Sequence, residues 1–151
     1  MQPTSQSKQR LFVDADVLFA GAAASRQHGA SLVLLRLAEI TLIDAITCQQ
    51  VIVEAERDLA AKLPAALPAF RLLVSRSLRV VVDPEPESLE LFSGLVDPKD
   101  LPILVAAVRE ECSWLVTFNI RRFQPGHASL RVLLPGELVS HVRMSLASMT
   151  R

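Results

Sequence analysis

Asp14 and Asp16 interrupt the apolar run Leu11-Phe12-Val13-Asp14-Ala15-Asp16-Val17-Leu18, at the point where a buried strand should hand over to a helix. In an open parallel sheet, ligands bind just beyond the carboxyl ends of the strands. Aspartate is almost never fully buried without a partner, so packing explains two acids there poorly. Three more polar side chains fall at comparable places. Glu54 lies in the helix after the second strand, Asp100 begins an apolar helix, and Asn119 follows the fourth strand. Oxygen donors of this kind suit hard cations such as Mg²⁺ or Mn²⁺. Asp100 has a further reason to stay ionised, because a helix N-terminus favours negative charge.

The elements that must position these residues alternate between strand and helix, which implies an α/β fold, a three-layer α/β/α sandwich with a mostly parallel sheet of about five strands. Strands are expected over Leu11–Asp14, Leu42–Ile46, Leu78–Val82, Trp114–Thr117 and Leu130–Leu134. Helices are expected over Val17–Ala24, Ser31–Glu39, Gln50–Lys62, Ala65–Ser75 and Leu101–Glu111, with a break at Gln27-His28-Gly29. A short helix from Ser88 to Phe92 and a C-terminal helix opened by Pro135-Gly136 complete the set. Thr47 and Ser88 are candidate N-caps, and Asp97-Pro98-Lys99-Asp100-Leu101-Pro102 reads as a helix start with Asp100 near the N-cap. The C-terminal stripe of Leu138, Val139, Val142 and Leu146 reads as core or a dimer face.

Composition narrows the function. The 151 residues fit one domain, with residues 1–9 read as a flexible polar tail and 10–148 as the domain. Half of the residues are hydrophobic and mean hydropathy is +0.33, apolar enough that a second subunit or a partner is expected to cover part of the surface. Basic and acidic residues balance at 16 each. That excludes a diffuse basic surface for nucleic acid, but not a local basic rim around an acidic site. Cys48 and Cys112 form no metal or redox motif, and His28, His127 and His141 lack zinc spacing. No segment approaches the roughly 18 apolar residues that span a bilayer, so the chain is expected to be cytoplasmic, without membrane.

Val13-Asp14-Ala15-Asp16-Val17-Leu18, Val51-Ile52-Val53-Glu54, Asp97-Pro98-Lys99-Asp100 and Trp114-Leu115-Val116-Thr117-Phe118-Asn119 resemble, in order and spacing, the successive acidic motifs of PIN domains. The resemblance runs from about Arg10 to about Val142. It implies a metal-dependent ribonuclease of the VapC-like kind, the toxin of a toxin–antitoxin pair, with Mg²⁺ or Mn²⁺ as cofactor. RNA is the implied substrate, an antitoxin the implied partner protein and a homodimer the implied assembly. By position, Asp14, Glu54 and Asp100 match the three core acids, with Asp14 and Asp100 as metal ligands. Asn119 stands where many members have a fourth acid, and Thr117 matches a small hydroxyl residue that precedes it. The Thr-Phe-Asn run resembles a subgroup that carries an Asp just before a Phe; here Arg122 precedes Phe123. Lys99, Arg121 and Arg122 are candidate RNA contacts.

Other readings stay open at this level. Asp16 reads equally as a site residue or as a cap of the following helix, Asn119 as a ligand-shell or a loop residue, and Arg121 and Arg122 as RNA contacts or solvated charges. With Asn119 and Arg122 in place of acids, a degenerate PIN domain that binds RNA or protein without cutting is the main alternative. A haloacid-dehalogenase-type phosphatase also has an Asp-x-Asp after an apolar strand. Its later acidic element is missing here.

Overall fold

The computed structural model describes residues 9–23 and 29–149. The expectations for residues 1–8, for the end of the first helix at Ala24 and for the break at Gln27-His28 lie outside the described residues.

Five strands form one sheet: β1 (Arg10–Val13), β2 (Asp44–Cys48), β3 (Leu78–Val81), β4 (Trp114–Val116) and β5 (Arg131–Leu133). Their order is β3-β2-β1-β4-β5, and every pairing is parallel. Central β1 sets Leu11 beside Ala45 of β2 and Trp114 of β4. Parallel strands covered on both faces read as continuous apolar runs, and Leu11, Phe12 and Val13 are completely buried. Each contributes about 1.5–3 kcal/mol by leaving water. Edge strand β3 is the contrast, with Arg79 and Val80 exposed.

Among the described residues six α-helices cover the sheet: α1 (Ala15–Ala23), α2 (Ala30–Glu39), α3 (Gln49–Lys62), α4 (Leu67–Ser77), α5 (Leu101–Arg109) and α6 (Pro135–Met149). The chain steps from β1 to β2 to β3 in one direction and then crosses back to β4. Crossovers in parallel sheets are right-handed, so reversing the direction of travel moves the crossover to the other face. Accordingly α1, α2 and α4 pack on one another, while α5 packs on β2 and on the 3-10 segment Pro86–Phe92. Gly21 lets α1 and α2 approach closely, since a Cβ there would lie 2.6 Å from the Leu35 side chain. Among the described residues no helix is long and apolar enough to cross a membrane.

Two local expectations are corrected. Strand β2 extends to Cys48, so Thr47 is a strand residue whose hydroxyl donates to the Val13 carbonyl at 2.9 Å. The first turn of α3 is capped from outside instead, by Asp83 Oδ1 accepting from the Gln50 amide at 2.9 Å. Ser88 lies inside the 3-10 segment and its hydroxyl donates to the Glu85 carbonyl rather than capping. The expected helix start stands where it was read: Asp100 is the N-cap residue of α5, though its carboxylate makes no cap hydrogen bond, and Asp97 accepts from the Lys99 amide to open the preceding 3-10 turn over Pro98–Asp100.

The opposite end of the sheet carries a charge network. Asp44 pairs with Arg10 at 3.3 Å and with Arg79 at 3.1 Å, and Arg79 reaches Glu110 at 3.5 Å. This ties the amino ends of β1, β2 and β3 together, well away from the strand ends where Asp14 and Thr117 stand.

Candidate active site

The strand order reverses between β1 and β4, and that switch point is where open α/β sheets form a binding crevice. Asp14 and Thr117 follow these two strands directly. The Asp14 amide donates to the Val116 carbonyl at 3.0 Å, extending the ladder by one rung, and its carbonyl accepts from Val17 and Leu18 to start α1. Asp14 is wholly buried. Its Oδ1 accepts from the Ala15 amide at 2.8 Å, and its Oδ2 accepts from the Thr117 hydroxyl at 2.8 Å. Burial pushes the Asp14 pKa up, against the lowering influence of Arg122 and the two hydrogen bonds; the Asp100 charge adds to the rise.

Asp16 lies in the first turn of α1 and reaches across to the end of β4. Its Oδ2 accepts from the Phe118 amide at 3.1 Å and lies 3.3 Å from the Thr117 hydroxyl. That hydroxyl has one proton, and Asp14 holds it at the shorter distance. Desolvation, then the charge of Asp14, pushes the Asp16 pKa up to about 6. Its Oδ1 is buried with no hydrogen-bond partner. Asp16 therefore joins α1 to the β4 end.

Arg122 stands at the centre of the acids. Both its Nε and its Nη2 lie 2.7 Å from Asp100 Oδ1. Its Nη1 is 3.3 Å from Asp14 Oδ2 and its Nη2 is 3.8 Å from Glu54 Oε1. The 3-10 turn Ile120–Phe123 presents this side chain, with buried Phe123 beneath it. Asp100 is 1% exposed, and its second oxygen, Oδ2, has no hydrogen-bond partner. Glu54 is the most accessible of the three acids; desolvation raises its pKa and Arg122 opposes the rise.

A cavity of about 810 Å³ opens over this cluster. Helix α3 lines it with Gln50, Glu54 and Arg57, and Lys99, Asp100, Asn119 and Arg122 close the far side. Asn119 is exposed, and its amide donates to the Thr117 hydroxyl at 3.1 Å. Arg121 is exposed and is not part of the cavity lining. The structure thus brings Asp14, Glu54 and Asp100 together around Arg122, sets Lys99 and Asn119 on the rim, and leaves Arg121 outside.

Arg57 and Asp83 also line the cavity and were missed from sequence. Each had a signal. Arg57 follows Glu54 by three residues, a spacing that shares a helix face, and Asp83 follows a strand end as Asp14 does. Cys48 and Cys112 are free and buried, and desolvation pushes both thiols up to about 12.

The donor set fits a hard divalent cation by chemistry: carboxylate oxygens only, with the Asp100 Oδ2 atom buried and unpartnered. The Arg122 guanidinium lies against these oxygens. Among the described residues no three acid, His or Cys side chains stand close enough to share one ion.

A parallel sheet with acids at its switch point defines a class of α/β domain built for ligands at strand ends. The PIN domain family model matches residues 10–121, and the chain belongs to that family, whose members are typically Mg²⁺-dependent ribonucleases. Seven chains of solved structures match, two of them as follows. A chain of VapBC2 from Rickettsia felis, bound to a DNA fragment from its promoter, superposes with a TM-score of 0.60 at 16% identity, covering 82% of this chain and 97% of that one. PAE2754 from Pyrobaculum aerophilum superposes with a TM-score of 0.62 at 17% identity, covering 90% and 96%. No curated protein matches the sequence. Membership of the PIN family leaves the haloacid-dehalogenase-type phosphatase without support, while the expected α/β architecture is the one observed, its sheet parallel throughout.

Proposed function

We propose that this chain is a Mg²⁺- or Mn²⁺-dependent endoribonuclease acting as the toxin of a toxin–antitoxin pair. The gathering of Asp14, Glu54 and Asp100 around one guanidinium beneath an open cavity is the observation that carries the reading. Asp14 and Asp100 would hold the ion. A bound divalent ion lowers the pKa of a water ligand and neutralises charge on phosphate oxygens.

The chain's own residues supply the rest. Thr117 fixes Asp14 Oδ2 through its hydroxyl, so that carboxylate does not rotate. Glu54, the acid most open to solvent, orients the attacking water and accepts its proton at Oε1. Lys99 and Arg57 on the cavity rim are placed to hold the RNA backbone. Similarity to a chain of a VapBC complex supports an antitoxin as partner, and the apolar composition fits a homodimer.

Incubation of the purified chain with labelled single-stranded RNA and Mn²⁺ tests this. Cleavage is expected from the parent chain and is lost about a hundredfold or more in Asp14→Asn and Asp100→Asn. Equal cleavage by parent and variants contradicts the reading. The ion pairs of Arg122 with all three acids favour a second reading, a PIN domain that binds RNA or protein without cutting. RNA retained by every form and cut by none is its signature.

A further inference from the structure

We infer that Arg122 is a built-in cation that competes with the divalent metal for the same carboxylates, so that the site loads only when its guanidinium swings out. This rests on the metal-dependent reading above and adds a mode of control to it.

Three observations carry it. First, one guanidinium meets all three acids, at 2.7 Å from Asp100, 3.3 Å from Asp14 and 3.8 Å from Glu54. It lies between Asp14 and Asp100, and an ion held by those two acids would need the same carboxylates. Second, the seated state is incompletely satisfied. Both close contacts to Asp100 fall on Oδ1, and Oδ2 stays buried without a partner. An unpaired buried carboxylate oxygen is costly, which leaves the arrangement open to displacement by a more highly charged ion. Third, there is room to leave. The Arg122 side chain is 21% exposed and itself lines the cavity. The guanidinium therefore has open space beside it.

Seated, Arg122 sets a single positive charge against three carboxylates, so the cluster keeps its attraction for a cation while denying it a position. Swung out, the same side chain joins the basic rim. The apparent metal affinity of such a site is reduced by the fraction of time the guanidinium is away.

The test is Mn²⁺ binding to the purified full chain, read by loss of the free-ion electron paramagnetic resonance signal and without RNA. Arg122→Ala and Arg122→Gln should bind Mn²⁺ about tenfold or more tightly than the parent, as removal of a conformational competitor predicts. Asp14→Asn should abolish binding in either background. Affinities of both Arg122 variants equal to the parent, with binding still lost in Asp14→Asn, overturn the competition while leaving the metal site intact. Mn²⁺ binding that survives Asp14→Asn defeats the metal reading itself. Where Arg122→Ala folds only with Mn²⁺ present, the ion has replaced the guanidinium and the inference is supported. Failure of both Arg122 variants to fold with or without Mn²⁺ overturns it, since the side chain is then a structural part that metal does not replace.

Discussion

The Thr117 hydroxyl donates to Asp14 Oδ2 at 2.8 Å, joining the ends of β4 and β1 across 103 residues of sequence. Thr117 and Asp14 are both completely buried, so each depends on the other for satisfaction. The same hydroxyl accepts from the Asn119 amide, which fixes the direction of its proton. Thr117→Val keeps the shape and removes the donor and the acceptor. It should destabilise the fold by about 1–3 kcal/mol, with Thr117→Ser close to the parent. Urea unfolding midpoints check both.

Arg122 and Asp100 are not equivalent halves of their pair. Removing Arg122 leaves Asp14 and Asp100, at 0% and 1% exposure, without their cation. Removing the Asp100 charge leaves a guanidinium that is one-fifth exposed and still faces Asp14 and Glu54. Breaking a buried pair costs about 3–5 kcal/mol because of the charge left behind. Arg122→Ala should therefore cost about that much at neutral pH, and Asp100→Asn about 1–3 kcal/mol. Equal losses in denaturant unfolding would contradict this asymmetry.

Much of this architecture is legible in the sequence, for physical reasons. Buried parallel strands show as short apolar runs, and an acid directly after such a run, as at Asp14, has no packing explanation. The alternation of strands and helices gives the sheet, and the order of acidic motifs gives the family. Register is less legible. Strand β2 was expected to end at Ile46, two residues before it does, and Thr47 was therefore read as a cap when it is a strand residue. Arg122 was legible only in part. The motif sets it, rather than Arg121, where similar chains carry an acid, but spacing does not show that its guanidinium meets all three acids. The 3-10 turn decides, sending Arg122 inward and Arg121 to solvent.

Gly126 closes the loop that follows this turn. Its φ is +78°, and a Cβ there would lie 2.7 Å from the Phe123 carbonyl oxygen. Its amide donates to the Leu95 carbonyl at 2.9 Å. Gly126→Ala should lower stability by about 1–2 kcal/mol from the left-handed backbone alone, with the close approach adding to it. Thermal unfolding of the variant against the parent measures the loss.

The two cysteines predict an alkaline pH dependence. Burial raises both thiols from the ordinary 9.0 to about 12. The native state keeps protons that the unfolded chain releases, so this contribution is intact below about pH 9 and is lost as pH rises towards 12. The chain has no tyrosine to titrate in the same range. Unfolding midpoints should fall between pH 8 and pH 11, less steeply in a Cys48→Ala, Cys112→Ala variant, and neither thiol should react with a disulfide reagent at pH 8 until the protein unfolds.

Crystals soaked in millimolar Mn²⁺ and measured for anomalous scattering show whether the carboxylates around Arg122 form a divalent-cation site. A manganese peak is expected between Asp14 and Asp100, with the Arg122 guanidinium moved out into the cavity. A guanidinium still seated on Asp100 Oδ1, with no manganese at the acids, would contradict it.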